Sequence, residues 1–449
     1  MTLYPAFVTL LALFVPPPQV SQAPAASDAV AKAQAVVAAL AAGQVERVDA
    51  QFTDKMKAAL PPGGIGPIWT DLVAKVGALQ KQVSAREQES GGLRIGIVTC
   101  AFERATLDVT VVFDQQGRIA GFFMRPVTAA TAPYALPAYA DAASFTERDV
   151  TVGSGEWPLP GTLSLPNGDG PFPVVILVHG SGPNDRDETL GADKPFKDLA
   201  SGLASRGIAV LRYDKRTNVH GARMATTSNL TVKQEVTDDV SAAVAAARAS
   251  ARVDPKRIFV LGHSLGGMLI PRIGAADPSL AGVIVMAGAA RPLEQAIVEQ
   301  YTYLASADGV ITPEEQKQID EAKQAMETIR ALTPADAAAG KTISGAPAAY
   351  WLDLRGYDPP TAAKGLTQPM LVLQGERDYQ VTMEEFARWK AALGSRPNVT
   401  LKSYPALNHL FISGTGKSLP AEYATPGHVA QEVIEDIARW IKQEAGGRR

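Results

Sequence analysis

A mostly parallel sheet with helices on both faces, preceded by a smaller α+β unit, is the fold predicted for this 449-residue chain. Three observations predict it. Continuous apolar runs such as Val174 to Val178 and Val283 to Met286 alternate with amphipathic helical segments, and strands of that composition are covered on both faces. One such run leads through Gly262-His263-Ser264-Leu265-Gly266-Gly267 straight into a helix. The alternation starts only after Pro126 to Ala143, a stretch rich in Ala, Pro and Thr without periodicity, which reads as a linker.

At the N-terminus, Leu3 to Val15 is almost wholly apolar, the length of a signal-peptide core and too short to span a bilayer. Ala23-Pro24-Ala25 fits a small-x-small cleavage site, although no Lys or Arg precedes the apolar run. Residues 1–25 are therefore expected to be a signal peptide, and the protein to be exported to the periplasm or beyond. The mature chain is expected to have no membrane span. Residues 28–125 form the small α+β unit. Its helices are expected over Ala29 to Ala42 and Ile68 to Leu79. Strands are expected over Leu93 to Cys100, Ala105 to Phe113 and Ile119 to Met124, the last two joined by a turn at Asp114-Gln115-Gln116-Gly117. Cys100, the single cysteine, lies in the first of these strands and reads as a buried, inert thiol.

After the linker (126–144), residues 145–446 carry the strand–helix rhythm. Strands are expected at Val174 to Val178, Ile208 to Tyr213, Ile258 to Leu261, Val283 to Met286, Met370 to Leu373 and Val399 to Tyr404. Helices fall between them. Thr231 with Gln234 reads as a capping box, and Val232, Val236, Val240 and Val244 form one stripe behind it. A last helix is marked by Val429, Val433, Ile437, Trp440 and Ile441. Between about residues 291 and 365 the rhythm is interrupted by an insertion with a helix start at Thr312-Pro313-Glu314-Glu315, and this reads as a lid.

The chemistry begins at Ser264. A serine between Gly262 and Gly266 on a strand-to-helix turn is held in a strained conformation that exposes its hydroxyl. A hydroxyl at neutral pH needs a base, usually a histidine held by a carboxylate. Of five histidines, His409 follows a strand in Pro405-Ala406-Leu407-Asn408-His409. His263 adjoins the serine and is expected to point away and pack, and His428 to cap or be solvated. The acid is expected at the end of the preceding strand, Asp378 before Glu376. The backbone N–H of Leu265 and of Ser181, with Gly182 as alternative, are candidate donors to a developing oxyanion. Arg186 and Asp187 are expected to tie the loop after Val178 to Asp214 or Arg216.

Together His179-Gly180-Ser181-Gly182-Pro183-Asn184-Asp185-Arg186-Asp187, Arg212-Tyr213-Asp214-Lys215-Arg216 and the Ser264 motif resemble the α/β-hydrolase superfamily. Within it they are similar to bacterial carboxylesterases of the dienelactone-hydrolase-related and EstD-like kind, which often carry a small N-terminal α+β domain. The resemblance implies an α/β-hydrolase fold and hydrolysis of small-molecule carboxylic esters through an acyl-serine. The loop reading Thr217-Asn218-Val219-His220 departs from the commoner Gly-rich continuation. No metal or organic cofactor is required by such a reaction, and no His/Cys/Asp/Glu spacing suggests zinc. The formal charge of −3 leaves no electrostatic footprint for nucleic acid. Ser413-Gly414-Thr415-Gly416-Lys417-Ser418 imitates the tail of a phosphate loop but lacks its strand and helix. Other readings are a peptidase of the prolyl oligopeptidase type, a thioesterase or lactonase on the same triad, or a binding role for the front unit. Oligomeric state is left open.

Overall fold

The computed structural model describes residues 28–90, 93–126, 134–224, 227 and 229–446. The segment expected to be a signal peptide lies outside the described residues. The chain divides into two compact units, with the boundary between Thr131 and Ala132.

In the front unit the helix Asp28–Ala41 packs its buried residues, Ala33, Val37 and Leu40 among them, on a four-stranded antiparallel sheet. The sheet runs Leu79–Ser90, Leu93–Phe102, Thr106–Phe113 and Ile119–Pro126 in sequence order. The strand Leu79–Ser90 is absent from the sequence reading. It is an edge strand rich in polar residues and pairs only with Leu93–Phe102, so it carries little apolar signal. The helix expected to reach Leu79 is Gly66–Val76, and the left-handed φ of +83° at Gly77 stops it. Asp114 closes the expected turn by accepting from the N–H groups of Gln116 and Arg118. Cys100 is fully buried, and burial pushes its thiol up to about 11.

The main sheet of the second unit has eight strands, numbered within it: β1 Phe145–Val152, β2 Leu159–Pro166, β3 Phe172–Val178, β4 Ala209–Tyr213, β5 Val253–His263, β6 Gly282–Met286, β7 Met370–Gly375 and β8 Val399–Tyr404. Their spatial order is β1-β2-β4-β3-β5-β6-β7-β8, antiparallel from β1 to β4 and parallel from β4 to β8. The sequence reading finds all six parallel strands and neither β1 nor β2. β1 is mostly exposed, and β2, although buried, is interrupted by Pro160, Gly161, Thr162 and Ser164, so neither reads as an unbroken apolar run.

The helices form two layers. Pro195–Ala204 packs with Gln431–Gly446, whereas Leu265–Ala276 is linked through Pro359–Ala363 to Met383–Leu393. The Thr231 helix opens differently from expectation. The Thr231 N–H donates to Gln234 Oε1 (2.9 Å), but the first turn is a wide π turn, Lys233–Thr237, before the α-helix Asp238–Arg248. The valine stripe is buried as expected. Part of the expected linker is docked instead of free: the Tyr134 hydroxyl donates to Asp198 Oδ1 (2.7 Å) within this unit. The insertion between β6 and β7 carries the helices Leu293–Ala305 and Pro313–Ala331, the latter starting where expected and closed by a capping box between Thr312 and Glu315. No helix among the described residues is long and apolar enough to cross a membrane.

Candidate active site

Ser264 sits between β5 and the helix Leu265–Ala276 with φ 54° and ψ −116°, a region that L-residues avoid. Only glycine allows the chain to double back so tightly. A Cβ at Gly262 would lie 2.2 Å from the Gly266 carbonyl oxygen, and one at Gly266 would lie 2.3 Å from that of Val178. The loop after β3 closes over this turn. A Cβ placed on Gly180 would come 3.0 Å from Ser264 Cβ and 3.5 Å from its Oγ, so that loop stands against the hydroxyl.

The end of β7 and the loop after β8 bring Asp378 and His409 together. His409 Nδ1 is 2.6 Å from Asp378 Oδ2, and both side chains are almost wholly buried. Asp378 is held rigidly. Its Oδ1 accepts from the N–H of Gln380 (2.8 Å) and Val381 (2.9 Å), while Oδ2 also accepts from Gln374 Nε2 (3.1 Å). Glu376 is exposed and accepts from Ser403 Oγ instead, so of the two candidate acids only Asp378 meets the ring. Asn408 braces the histidine loop: its Oδ1 accepts from the N–H of Leu410 and Ile412. The pairing of Nδ1 turns Nε2 of His409 to the opposite side, where it has no protein hydrogen-bond partner among the described residues. The Ser264 hydroxyl is likewise not hydrogen-bonded to it.

The two loops are joined through His263. Its Nε2 is 3.0 Å from the His409 carbonyl oxygen, and its Nδ1 makes an ion-pair contact of 2.9 Å with Glu188 Oε2, off the line of an aligned hydrogen bond. Burial opposes charge on both groups, but their mutual attraction wins: the imidazole lies above its ordinary range and the carboxyl below its own. His263 thus does more than pack. Glu188, at a left-handed φ of 52°, also accepts the Gly180 N–H through Oε1 (2.6 Å). With that amide occupied, the N–H groups of Ser181, Gly182 and Leu265 are left donating to no protein acceptor among the described residues.

Surrounding ion pairs hold this framework. Arg186 binds Asp214 through two guanidinium nitrogens (3.0 and 2.7 Å), as expected. Asp187 pairs with Arg212 rather than Arg216, and Arg216 pairs with Asp239. His428 neither caps nor floats free: its Nδ1 stands 3.0 Å from buried Asp198. From the insertion, Tyr303 stacks on Tyr379 (centroids 5.1 Å apart), its hydroxyl donates to the Ser418 carbonyl, and Gln300 Nε2 donates to the Gln380 carbonyl. The helix Leu293–Ala305 therefore rests on the loop that carries Asp378. Sequence reasoning missed Glu188, Lys215 and Glu235. Each stands in a charged or polar run (Arg186-Asp187-Glu188, Asp214-Lys215-Arg216, Lys233-Gln234-Glu235) that gives no local sign of which side chain is buried.

The family model described as serine aminopeptidase, S33 (Hydrolase_4) matches residues 171–414, more than half of the chain. A model of a protein of unknown function (DUF3887) matches residues 33–122. Esterase EstD of Thermotoga maritima is 43% identical over 390 residues, covering 87% of this chain and 89% of its own. A monoacylglycerol lipase of Mycolicibacterium smegmatis is 26% identical over 276 residues, 60% of this chain and 88% of its own. Among solved structures, Est1E from Butyrivibrio proteoclasticus aligns at 17% identity with a TM-score of 0.43, covering 66% of this chain and 99% of that one. The strand order and the strained serine turn accord with the sequence match. The chain belongs to the serine aminopeptidase S33 family and is a hydrolase of the α/β-hydrolase superfamily.

Proposed function

We propose that this hydrolase cleaves carboxylic esters through an acyl-enzyme on Ser264. The observation that carries the reading is the Asp378–His409 pair, whose outer ring nitrogen has no protein partner among the described residues, in the same unit as a half-buried serine on a strained turn. In this mechanism Ser264 Oγ attacks the ester carbonyl carbon while His409 Nε2 takes its proton. Asp378 keeps the other nitrogen protonated and stabilises the imidazolium that forms. The oxygen that becomes negative lies toward the N–H groups of Leu265 and Ser181, at the positive end of the helix Leu265–Ala276. The carbon–oxygen bond to the alcohol then breaks, His409 returning the proton to the leaving oxygen. Water, activated by the same nitrogen, releases the acid and frees the serine. The hydroxyl–imidazole bond tightens when substrate is seated, as it commonly does in such sites. Esterase EstD, with its 43% identity across most of both chains, supports ester chemistry over other acyl transfers.

The test is a panel of p-nitrophenyl esters of rising acyl length with the parent and with Ser264→Ala, together with organophosphate labelling. The expected result is loss of turnover in the variant and label on the peptide that contains Ser264. Label elsewhere overturns the assignment. A second reading, amide cleavage, is favoured by the description of the family as serine aminopeptidase. An anilide turned over faster than the matching ester supports that reading, and a thioester or lactone preferred over both identifies those alternatives. The insertion is proposed to act as a lid over the serine, on the strength of its contacts to the Asp378 loop. Export is proposed on the apolar run Leu3 to Val15 and the Ala23-Pro24-Ala25 site, and N-terminal sequencing of the exported form tests it.

A further inference from the structure

Both backbone polar groups of Gly180 are held by buried charged side chains. The N–H donates to Glu188, and the carbonyl accepts from Lys215 Nζ at 2.8 Å and, more weakly, from Asn184 Nδ2 at 3.2 Å. Lys215 is 2% exposed, and Glu235 Oε1, on the opening turn of the Thr231 helix, stands 2.9 Å from the same ammonium. Ester hydrolysis as described makes no use of Lys215. An ammonium at this depth is costly to desolvate, and the single carboxylate beside it only partly offsets the cost.

The Gly180 carbonyl and the Ser181 N–H are the two ends of one planar, conjugated peptide group. A cation on the oxygen draws electron density toward it, raises the double-bond character of the C–N bond and leaves the N–H more positive, as in any polarised hydrogen-bond chain. The Ser181 N–H is among the amides of this loop that donate to no protein acceptor, and the loop carrying it stands against the Ser264 hydroxyl. Fixing the oxygen also fixes the direction of that N–H, because the peptide plane is rigid. We propose that Lys215 is a positioning residue of the oxyanion site, orienting and polarising the Gly180–Ser181 peptide so that the Ser181 N–H is a strengthened donor to the tetrahedral intermediate. The inference rests on the acyl-serine reading above, because only a developing oxyanion draws on a polarised amide.

The experiment measures kcat, KM and the inhibition constant of a trifluoromethyl ketone, which forms a tetrahedral adduct on the serine. The proteins are the parent, Lys215→Met, Lys215→Met/Glu235→Leu and Ser264→Ala. Lys215→Met alone strands a buried carboxylate and can unfold the chain, whereas the double variant buries no unpaired charge. Expected for the double variant are a native circular-dichroism spectrum and a fall in kcat of ~10–50-fold, smaller than loss of a whole oxyanion donor. KM is expected to stay within about threefold, with ketone binding weakened in proportion to kcat/KM. A kcat within about threefold of the parent overturns the inference, as does a loss carried wholly by KM, which marks a loop that has merely moved. Turnover retained in Ser264→Ala overturns the acyl-serine reading itself. With Ser264→Ala inactive, an unaffected kcat in the double variant sinks the Lys215 inference alone.

Discussion

Two buried carboxylate–imidazole pairs lie side by side in this site, and only one of them leaves its outer ring nitrogen without a protein partner among the described residues. Asp378 meets Nδ1 of His409 at 2.6 Å, and Glu188 meets Nδ1 of His263 at 2.9 Å, with the two rings 4.7 Å apart. Both pairs are almost fully buried. The difference lies at the far nitrogen. Nε2 of His263 faces the His409 carbonyl oxygen, so both of its nitrogens confront acceptors, and the Glu188 carboxylate favours the doubly protonated ring. A ring protonated on both nitrogens has no lone pair with which to accept a proton. Nε2 of His409 faces no protein acceptor. A carboxylate beside an imidazole is therefore not enough to mark a catalytic base. What the second nitrogen meets decides whether the pair does chemistry or holds loops in place.

The largest effects are expected at the proposed catalytic pair. His409→Ala is expected to lower kcat by ~10⁵–10⁶, and Asp378→Asn by ~10⁴ through the wrong tautomer, measured as single-turnover ester hydrolysis. Glu376→Gln is expected to stay within about threefold of the parent, since that side chain is exposed and bonded to Ser403. Equal losses for the Asp378 and Glu376 variants would erase the distinction drawn between them.

The second pair is expected to show its worth mainly in stability. Glu188→Gln leaves the His263 charge without its counter-ion, and such a change in a buried pair costs ~3–5 kcal/mol in urea unfolding. The folded-state pKa of Glu188 is depressed and that of His263 raised, so the stabilisation spans the range between them. It fades as pH falls through the Glu188 value, and equally as pH rises through the His263 value. Nitrogen-15 spectra of the parent at about pH 8 are expected to show two proton-bearing nitrogens on His263, where an ordinary imidazole is neutral. A neutral His263 there would make the two pairs alike.

The smallest effect comes from a third buried ring, which makes no ion pair with a carboxylate among the described residues. His179 packs between Phe196 and Tyr213, and burial lowers it to about 4 from the ordinary 6.5. The unfolded chain takes up this proton first as the medium acidifies, so stability present above the ordinary value is lost as pH falls toward the depressed one. Compared with His179→Phe, the parent is expected to lose about 2–3 kcal/mol more between about pH 7 and pH 4 in urea titrations. Parallel pH profiles for the two proteins would show that His179 is not held neutral.

The parallel strands, the serine turn, Asp378 and His409 could all be read from the chain, because each leaves a local mark: an unbroken apolar run, a glycine pair, a polar residue where a strand stops. The edge strands Leu79–Ser90 and β1 left no such mark, since a strand with an exposed face needs no apolar run. Residue order alone determined the fold class and the residue types at the site. Tertiary structure alone decided that the Asp378 carboxylate meets Nδ1 of His409, that His263 bridges two loops, and that Lys215 reaches the Gly180 carbonyl. These are single contacts between residues 31, 146 and 35 positions apart, and a buried charge finds its partner through packing, which no periodicity along the chain encodes.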